Sequence, residues 1–176
     1  YNKYTIERAL LPSFRSSTGR MERLEHPQNE WQLLNRIYVA YASRYNGMLA
    51  RSGDWWKALL AGRKSGMAAV YYDADEQPSG YILYEVKDQK MTIKELVFQH
   101  AEAMRGIWTF VANHDSMAKH YEWQAPVDDP LPILLDNPRI QQETVPYFMA
   151  RIVDVEPFLA RFRFANGAAA ETLVLE

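Results

Sequence analysis

The stretch that most limits what this chain can fold into is residues 91–125, which read MTIKELVFQH, AEAMRGIWTFVANHDS and MAKHYEWQA. Met104, Ile107, Trp108 and Val111 recur at i, i+3, i+4 and i+7, the spacing of one apolar helix face. This predicts a helix over Ala101–Asn113, flanked by strands at Met91–Gln99 and His120–Gln124. A strand–helix–strand crossover of this length joins parallel neighbours in one sheet. The chain is therefore expected to be α/β (α+β), a mixed sheet with flanking helices. In the first strand Met91 and Ile93 share one parity while Leu96 and Phe98 share the other. Either a one-residue bulge keeps both pairs on one face or the strand is buried on both; the pattern leaves the two open.

The rest of the chain is read around this unit. Tyr1–Phe14 shows weak patterning closed by Pro12 and is expected to be a linker or arm, and Ser16–Gly19 a loop. Arg20–Glu25 is a short strand. Leu33, Leu34, Ile37, Tyr38, Tyr41 and Tyr45 predict a helix over Asn29–Tyr45, with Asn29 as N-cap and Asn46-Gly47 as its stop. Asp54 is expected to cap a second helix that Gly62 ends. Met67–Tyr72, Tyr81–Val86 and Met91–Gln99 form a meander, joined by a turn at Asp73–Gly80 and a hairpin loop at Lys87–Lys90. Beyond Pro126, Asp129 is a good cap with Pro130 at the first helical position, and Asn137-Pro138 closes the turn. A domain boundary is expected at 125/126. Glu143–Val153 then reads as a strand, Asp154–Phe162 as a helix capped by Asp154, 164–170 as a loop and Glu171–Glu176 as a strand. The chain begins at Tyr1 and ends in a strand-like run; both ends are expected to be cuts in a longer protein.

Composition narrows the class of function. Hydrophobic residues make up 48% of the 176, enough for a sizeable core. Twenty basic against 22 acidic residues, a formal charge of −2 and no dense basic run argue against nucleic acid or an anionic membrane as partner. No apolar run approaches the roughly 18 residues of a membrane helix. The absence of cysteine excludes disulfides, thiolate catalysis and Cys-type zinc sites, and fits a reducing compartment; a cytoplasmic location is expected.

Chemical motifs are few. His26, His100, His114 and His120 show no metal-ligand spacing, so no metal is expected. His114-Asp115 at a helix end reads as a C-terminal cation and turn former. Nucleophile elbows, phosphate loops and dinucleotide fingerprints are missing. Asp73, Asp75 and Glu76 read as a solvated turn. The substrate-cleft candidates are Asp128, Asp129 and Trp123: the two carboxylates suit either helix capping or a cation-binding mouth, and tryptophans here are core by default.

The order strand, two helices, three-stranded meander, helix, strand is that of the GNAT fold. Ala42–Leu49, Tyr81–Val97, Arg105–Met117, Asp128–Ile140 and Pro146–Leu159 together resemble the Eis (enhanced intracellular survival) family of GNAT N-acetyltransferases of Gram-positive bacteria, over nearly the whole chain. The resemblance implies three domains in series: a catalytic GNAT domain, a central GNAT-like domain and a sterol-carrier-protein-like domain. Residues 1–125 then correspond to the central domain, and 126–176 to a linker and the first part of the α+β carrier-like domain. It also implies acetyl-CoA as acyl donor, a polycationic amine of aminoglycoside type as acceptor, a hexameric assembly, and catalysis by a tyrosine and a terminal carboxylate that both lie outside this chain. No catalytic residue is expected here.

A working GNAT domain holds the CoA pyrophosphate on backbone N–H groups at a glycine-rich turn, typically Arg/Gln-x-x-Gly-x-Gly/Ala. Here the turn reads Gln99-His100-Ala101-Glu102-Ala103-Met104-Arg105-Gly106. The single glycine, Gly106, falls late, and Glu102 puts negative charge where the phosphates belong. His100, Glu102, Arg105 and Gly106 thus form a degenerate turn, and no cofactor is expected on this portion. The leading expectation is a non-catalytic unit that shapes the substrate cleft and the oligomer contacts of an acetyltransferase, beside its preceding catalytic domain. The competing class is a binding or assembly module, for an apolar ligand or a protein partner, with no part in catalysis. A third reading, an active acetyltransferase in its own right, fails at the glycine turn.

Overall fold

The computed structural model describes residues 1–12, 14, 18–114, 116–146, 149–162 and 164. Seven strands form one mixed sheet: β1 (Asn2–Glu7), β2 (Arg20–Leu24), β3 (Met67–Tyr72), β4 (Pro78–Lys87), β5 (Lys90–Phe98), β6 (His120–Ala125) and β7 (Gln141–Thr144). Their order is β2-β3-β4-β5-β6-β1-β7. α1 (Trp31–Ala42) and α2 (Gly53–Ala61) cover one face, α3 (Ala101–Ala112) the other, and α4 (Leu131–Leu134) and α5 (Val155–Arg161) follow. The expected α/β class and helix-flanked mixed sheet are present.

The crossover unit forms as its periodicity predicts. β5 and β6 pair in parallel, and α3 buries Met104, Ile107, Trp108 and Val111. Burying each such side chain contributes about 1.5–3 kcal/mol. The bulge reading of β5 holds. The β4–β5 register shifts between Leu83 and Tyr84, which face Glu95 and Ile93, so Lys94 is the extra residue. Met91 and Ile93 before the bulge, and Leu96 and Phe98 after it, all pack into the α3-side core. Glu95 and Val97 are turned to the α1/α2 side, where Val97 joins the second core. At the β4–β5 hairpin, Asp88 and Gln89 both have positive φ (50° and 59°), the backbone of a tight two-residue turn.

Several boundaries move, each for a local reason. The N-terminal arm is instead β1, antiparallel to both β6 and β7. Asn2, Tyr4 and Ile6 alternate inward and are buried. α1 begins after Glu30, which makes no side-chain cap, so Asn29 is not the N-cap. The helix ends at Ala42, where the Ser43 hydroxyl donates to Ala40 O at 2.9 Å. Ser52, not Asp54, caps α2, because its Oγ accepts from Trp55 N at 3.2 Å. The strand expected at Glu143–Val153 is displaced to Gln141–Thr144: Val145 N still donates to Tyr1 O at 2.8 Å, and Pro146, lacking an N–H, stops the ladder. Asp154 sits at the N-cap of α5 without a capping bond. The expected loop at 164–170 lies, apart from residue 164, outside the described residues, as does the strand at 171–176.

The expected linker after residue 125 packs on the sheet. Leu131 and Leu135 are buried in the α3-side core, and β7 is hydrogen-bonded to β1. His114, expected as a helix-end cation and turn former, does shape the turn after α3, its carbonyl accepting from Met117 N at 2.9 Å. It is buried, its Nδ1 lies 2.8 Å from Phe110 O and its Nε2 lies 3.0 Å from an Arg23 guanidinium nitrogen. Arginine only donates, so Nε2 accepts from Arg23 and Nδ1–H donates to Phe110 O. Among the described residues no helix is long and apolar enough to cross a membrane.

Candidate functional site

The site follows from the way β5 and β6 part. Their parallel pairing runs only from Lys90↔His120 to Ile93↔Trp123. Past the bulge β5 keeps its partner β4, while Gln124 and Ala125 pair with β1 alone. Gln99 N donates to Ser79 O at 2.9 Å, and antiparallel pairs alternate. The main-chain groups of Glu95 and Val97 therefore face β4, and those of Leu96 and Phe98 face the gap. Phe98 O is taken there by an Arg44 guanidinium at 2.7 Å.

Two adjoining cavities occupy this gap. The smaller, about 190 Å³, is lined by residues including Tyr41, Arg44, Trp123, Asp128 and Asp129. The larger, about 290 Å³, extends under the 47–51 loop past Tyr38, Tyr41, Tyr45, Arg51, Lys64 and Glu95. Tyr41, Tyr45, Leu96, Gln124, Ala125 and Pro126 line both, so the two form one cleft.

The structure brings all three cleft candidates together at the smaller end. Asp129 Oδ1 accepts from Leu131 N at 2.8 Å, so Asp129 serves the turn before α4 while lining the cleft. Burial is the largest influence on its carboxyl and raises it above the usual aspartate range. Trp123 is buried, stacked on Tyr4 with ring centroids 4.7 Å apart and edge-on to Trp108 at 5.0 Å. Its Nε1 makes no hydrogen bond of ordinary geometry among the described residues, although the indole lies close enough to Asp129 to favour that carboxylate's charged form.

At the other end lies a cluster that sequence reading missed. Arg51 holds Glu95 by two bonds, at 3.0 and 2.7 Å. Lys64 Nζ is 2.5 Å from the same carboxylate, and the Tyr81 hydroxyl donates to it at 3.0 Å. The Arg51 guanidinium also lies over the Tyr38 ring at 3.7 Å and the Trp56 ring at 4.7 Å. Burial acts to raise Glu95, but Lys64 and Arg51 outweigh it and its carboxyl falls below the usual glutamate range. Nothing local marks these residues, because Arg51, Lys64 and Glu95 meet only through the fold. The one faint signal was an acidic residue at the parity break of an apolar strand.

The degenerate turn lies at the start of α3. His100 is the N-cap, and its Nδ1 accepts from Ala103 N at 3.2 Å. Glu102 accepts from Thr18 N at 3.1 Å and from the Thr18 hydroxyl. These two bonds are the main reason that its carboxyl lies below the usual range. Gly106 is buried within α3. Gly80 beneath is tightly covered, since a Cβ there would meet Ile107 Cδ1 at 2.9 Å and Val97 O at 3.0 Å.

Residues 47–152 match the family described as acetyltransferase (GNAT) domain. The chain belongs to the GNAT acetyltransferase family. Solved structures agree with the fold. A probable N-acyltransferase from Enterococcus faecalis V583 superposes with a TM-score of 0.79 at 23% identity, over 90% of this chain and 41% of its own. Eis1 from Mycobacterium abscessus gives 0.68 at 26% identity, over 90% and 42%. A GCN5-related N-acetyltransferase from Anabaena variabilis ATCC 29413 gives 0.66 at 22%, over 81% and 38%. No curated protein matches. The chain thus spans only 38–42% of the length of these three proteins.

GNAT domains in general use acetyl-CoA, and the residues at the start of α3 do not fit its pyrophosphate. Of the first-turn donors an anion would need, Ala103 N–H is already bonded to His100. The ionised Glu102 and the Thr18 segment bonded to it stand beside the same turn. A carboxylate at a helix N-terminus is itself stabilised by the dipole, and Glu102 holds negative charge in the first turn of α3.

Proposed function

We propose that this chain is the non-catalytic central GNAT-like portion of a longer, cytoplasmic, acetyl-CoA-dependent N-acetyltransferase of Eis type, acting on amines of polycationic, aminoglycoside-like substrates. Residues 1–125 are the central domain, and 126–176 the linker and first part of a sterol-carrier-like domain. Acetyl-CoA binds to the preceding catalytic domain, and this portion walls the substrate cleft and makes the subunit contacts of a homo-oligomer. The observation that carries the reading is the His100–Ala103 and Glu102–Thr18 pairing: the scaffold of a cofactor site is kept while its anion seat is filled by the chain's own groups. Asp128 and Asp129, with Asp129 partly desolvated, supply negative charge suited to an ammonium group.

Steady-state kinetics of the longer protein test both halves. His100→Ala with Glu102→Gln leaves the KM for acetyl-CoA unchanged; a shift in that KM puts the cofactor here and overturns the proposal. Asp128→Asn with Asp129→Asn raises the KM for a polycationic substrate by about tenfold, from the loss of charge-assisted contacts, and leaves the KM for acetyl-CoA alone. An unchanged substrate KM removes these carboxylates from the pocket.

A further inference from the structure

The basic end of the cleft has more hydrogen-bond donors than its one carboxylate can accept. Glu95 has about four acceptor sites, and four bonds reach it: two from Arg51, one from Lys64 and one from Tyr81. Arg51 carries five N–H donors and Lys64 three. Two of the Arg51 donors go to Glu95 and a third is within reach of the Tyr38 hydroxyl, which leaves two on Arg51 and two on Lys64 beyond these bonds. The side chains of Arg51 and Glu95 are 10% and 11% exposed, so water reaches them little. Two cations share one anion. The third cation of the cavity wall, Lys94, is bonded separately to Glu85 at 2.9 Å and to Ser65 O at 2.5 Å. Burial lowers the proton affinity of Lys64 even beside Glu95, a cost that a second anion in contact offsets.

The space these donors face has a definite character. The cavity is about 290 Å³, the small end of ligand sites, and its walls are Tyr38, Tyr41, Tyr45, Met48 and Leu49. These aromatic and aliphatic side chains suit an apolar body, and the remaining donors suit an oxyanion at one end of it. A planar carboxylate meets a guanidinium and an ammonium in their preferred geometry.

We propose that this cavity is a binding site for a small organic carboxylate with an apolar body, its oxygens held by Lys64 and Arg51. The site lies across the cleft from Asp128 and Asp129 and uses neither them nor the start of α3, so it stands independently of the function proposed above.

Calorimetric titration of the full chain with benzoate, benzamide and inorganic phosphate tests the site. Benzoate binds saturably, benzamide about tenfold or more weakly for lack of charge, and phosphate more weakly than benzoate for lack of an apolar body. Lys64→Met, which keeps the aliphatic stem, weakens benzoate by about tenfold while the near-ultraviolet circular dichroism stays that of the parent. Benzamide or phosphate binding as tightly as benzoate, no saturable benzoate binding, or a folded Lys64→Met chain with unchanged affinity each overturns the proposal. The three-ligand comparison on the unsubstituted chain decides the matter even where the variant does not fold.

Discussion

Glu95 shows at the scale of one residue how the second core is held. Its carboxylate is bonded by Arg51, Lys64 and Tyr81, and breaking one partner out of such a buried set leaves charge uncompensated. Glu95→Gln is expected to cost about 3 kcal/mol in chemical denaturation; a loss within about 0.5 kcal/mol, usual for a surface position, contradicts this account of the cluster. The pH dependence has a fixed sign. Glu95 lies below its ordinary value when folded, and an unfolded glutamate titrates near about 4.3. Its contribution is therefore complete above that unfolded value and is lost as pH falls through the folded one. The stability gap between the parent and Glu95→Gln is expected to narrow as pH drops below about 4.

At the scale of elements, the β4–β5 hairpin and the α3–β4 contact make separate predictions. Gln89 has φ +59°, which disfavours a side chain, so Gln89→Gly is expected to stabilise the chain by about 1 kcal/mol. Gly80→Ala pushes a methyl towards Ile107 and the Val97 carbonyl and is expected to destabilise by about 1–3 kcal/mol in thermal unfolding. Elements read well from sequence where their information is local. α3, the β4–β5 hairpin and the parallel β5–β6 pair each follow from periodicity or turn residues within about one element. The bulge at Lys94 was visible as a parity break, though only the packing of Leu96 and Phe98 against the α3-side core decided it. β1 was missed although Asn2, Tyr4 and Ile6 alternate, because its partners are Tyr121–Ala125 and Gln141–Thr144, far along the chain. The cap of α2 was misplaced at Asp54, two residues past Ser52, because only the folded geometry chooses between neighbouring polar residues.

At the largest scale, the described residues form a GNAT scaffold whose two faces carry different groups. The gap between β5 and β6 remains open and lined with tyrosines, acidic at Asp128 and Asp129 and basic at Arg51 and Lys64. Asp128, Asp129 and Trp123 were legible as candidates because they fall where one strand ends and a capped turn begins. The Arg51–Lys64–Glu95 cluster was not, because no spacing in sequence records a contact between a loop, a helix end and a strand. On the other face, α3 keeps Ile107, Trp108 and Val111 in the core; on the proposed reading the crossover unit serves packing, and its first turn, with His100 and Glu102, seats no pyrophosphate. Calorimetric titration of acetyl-CoA into this chain tests that claim most directly. The account predicts no saturable heat up to millimolar ligand; saturable binding in the micromolar range would contradict it.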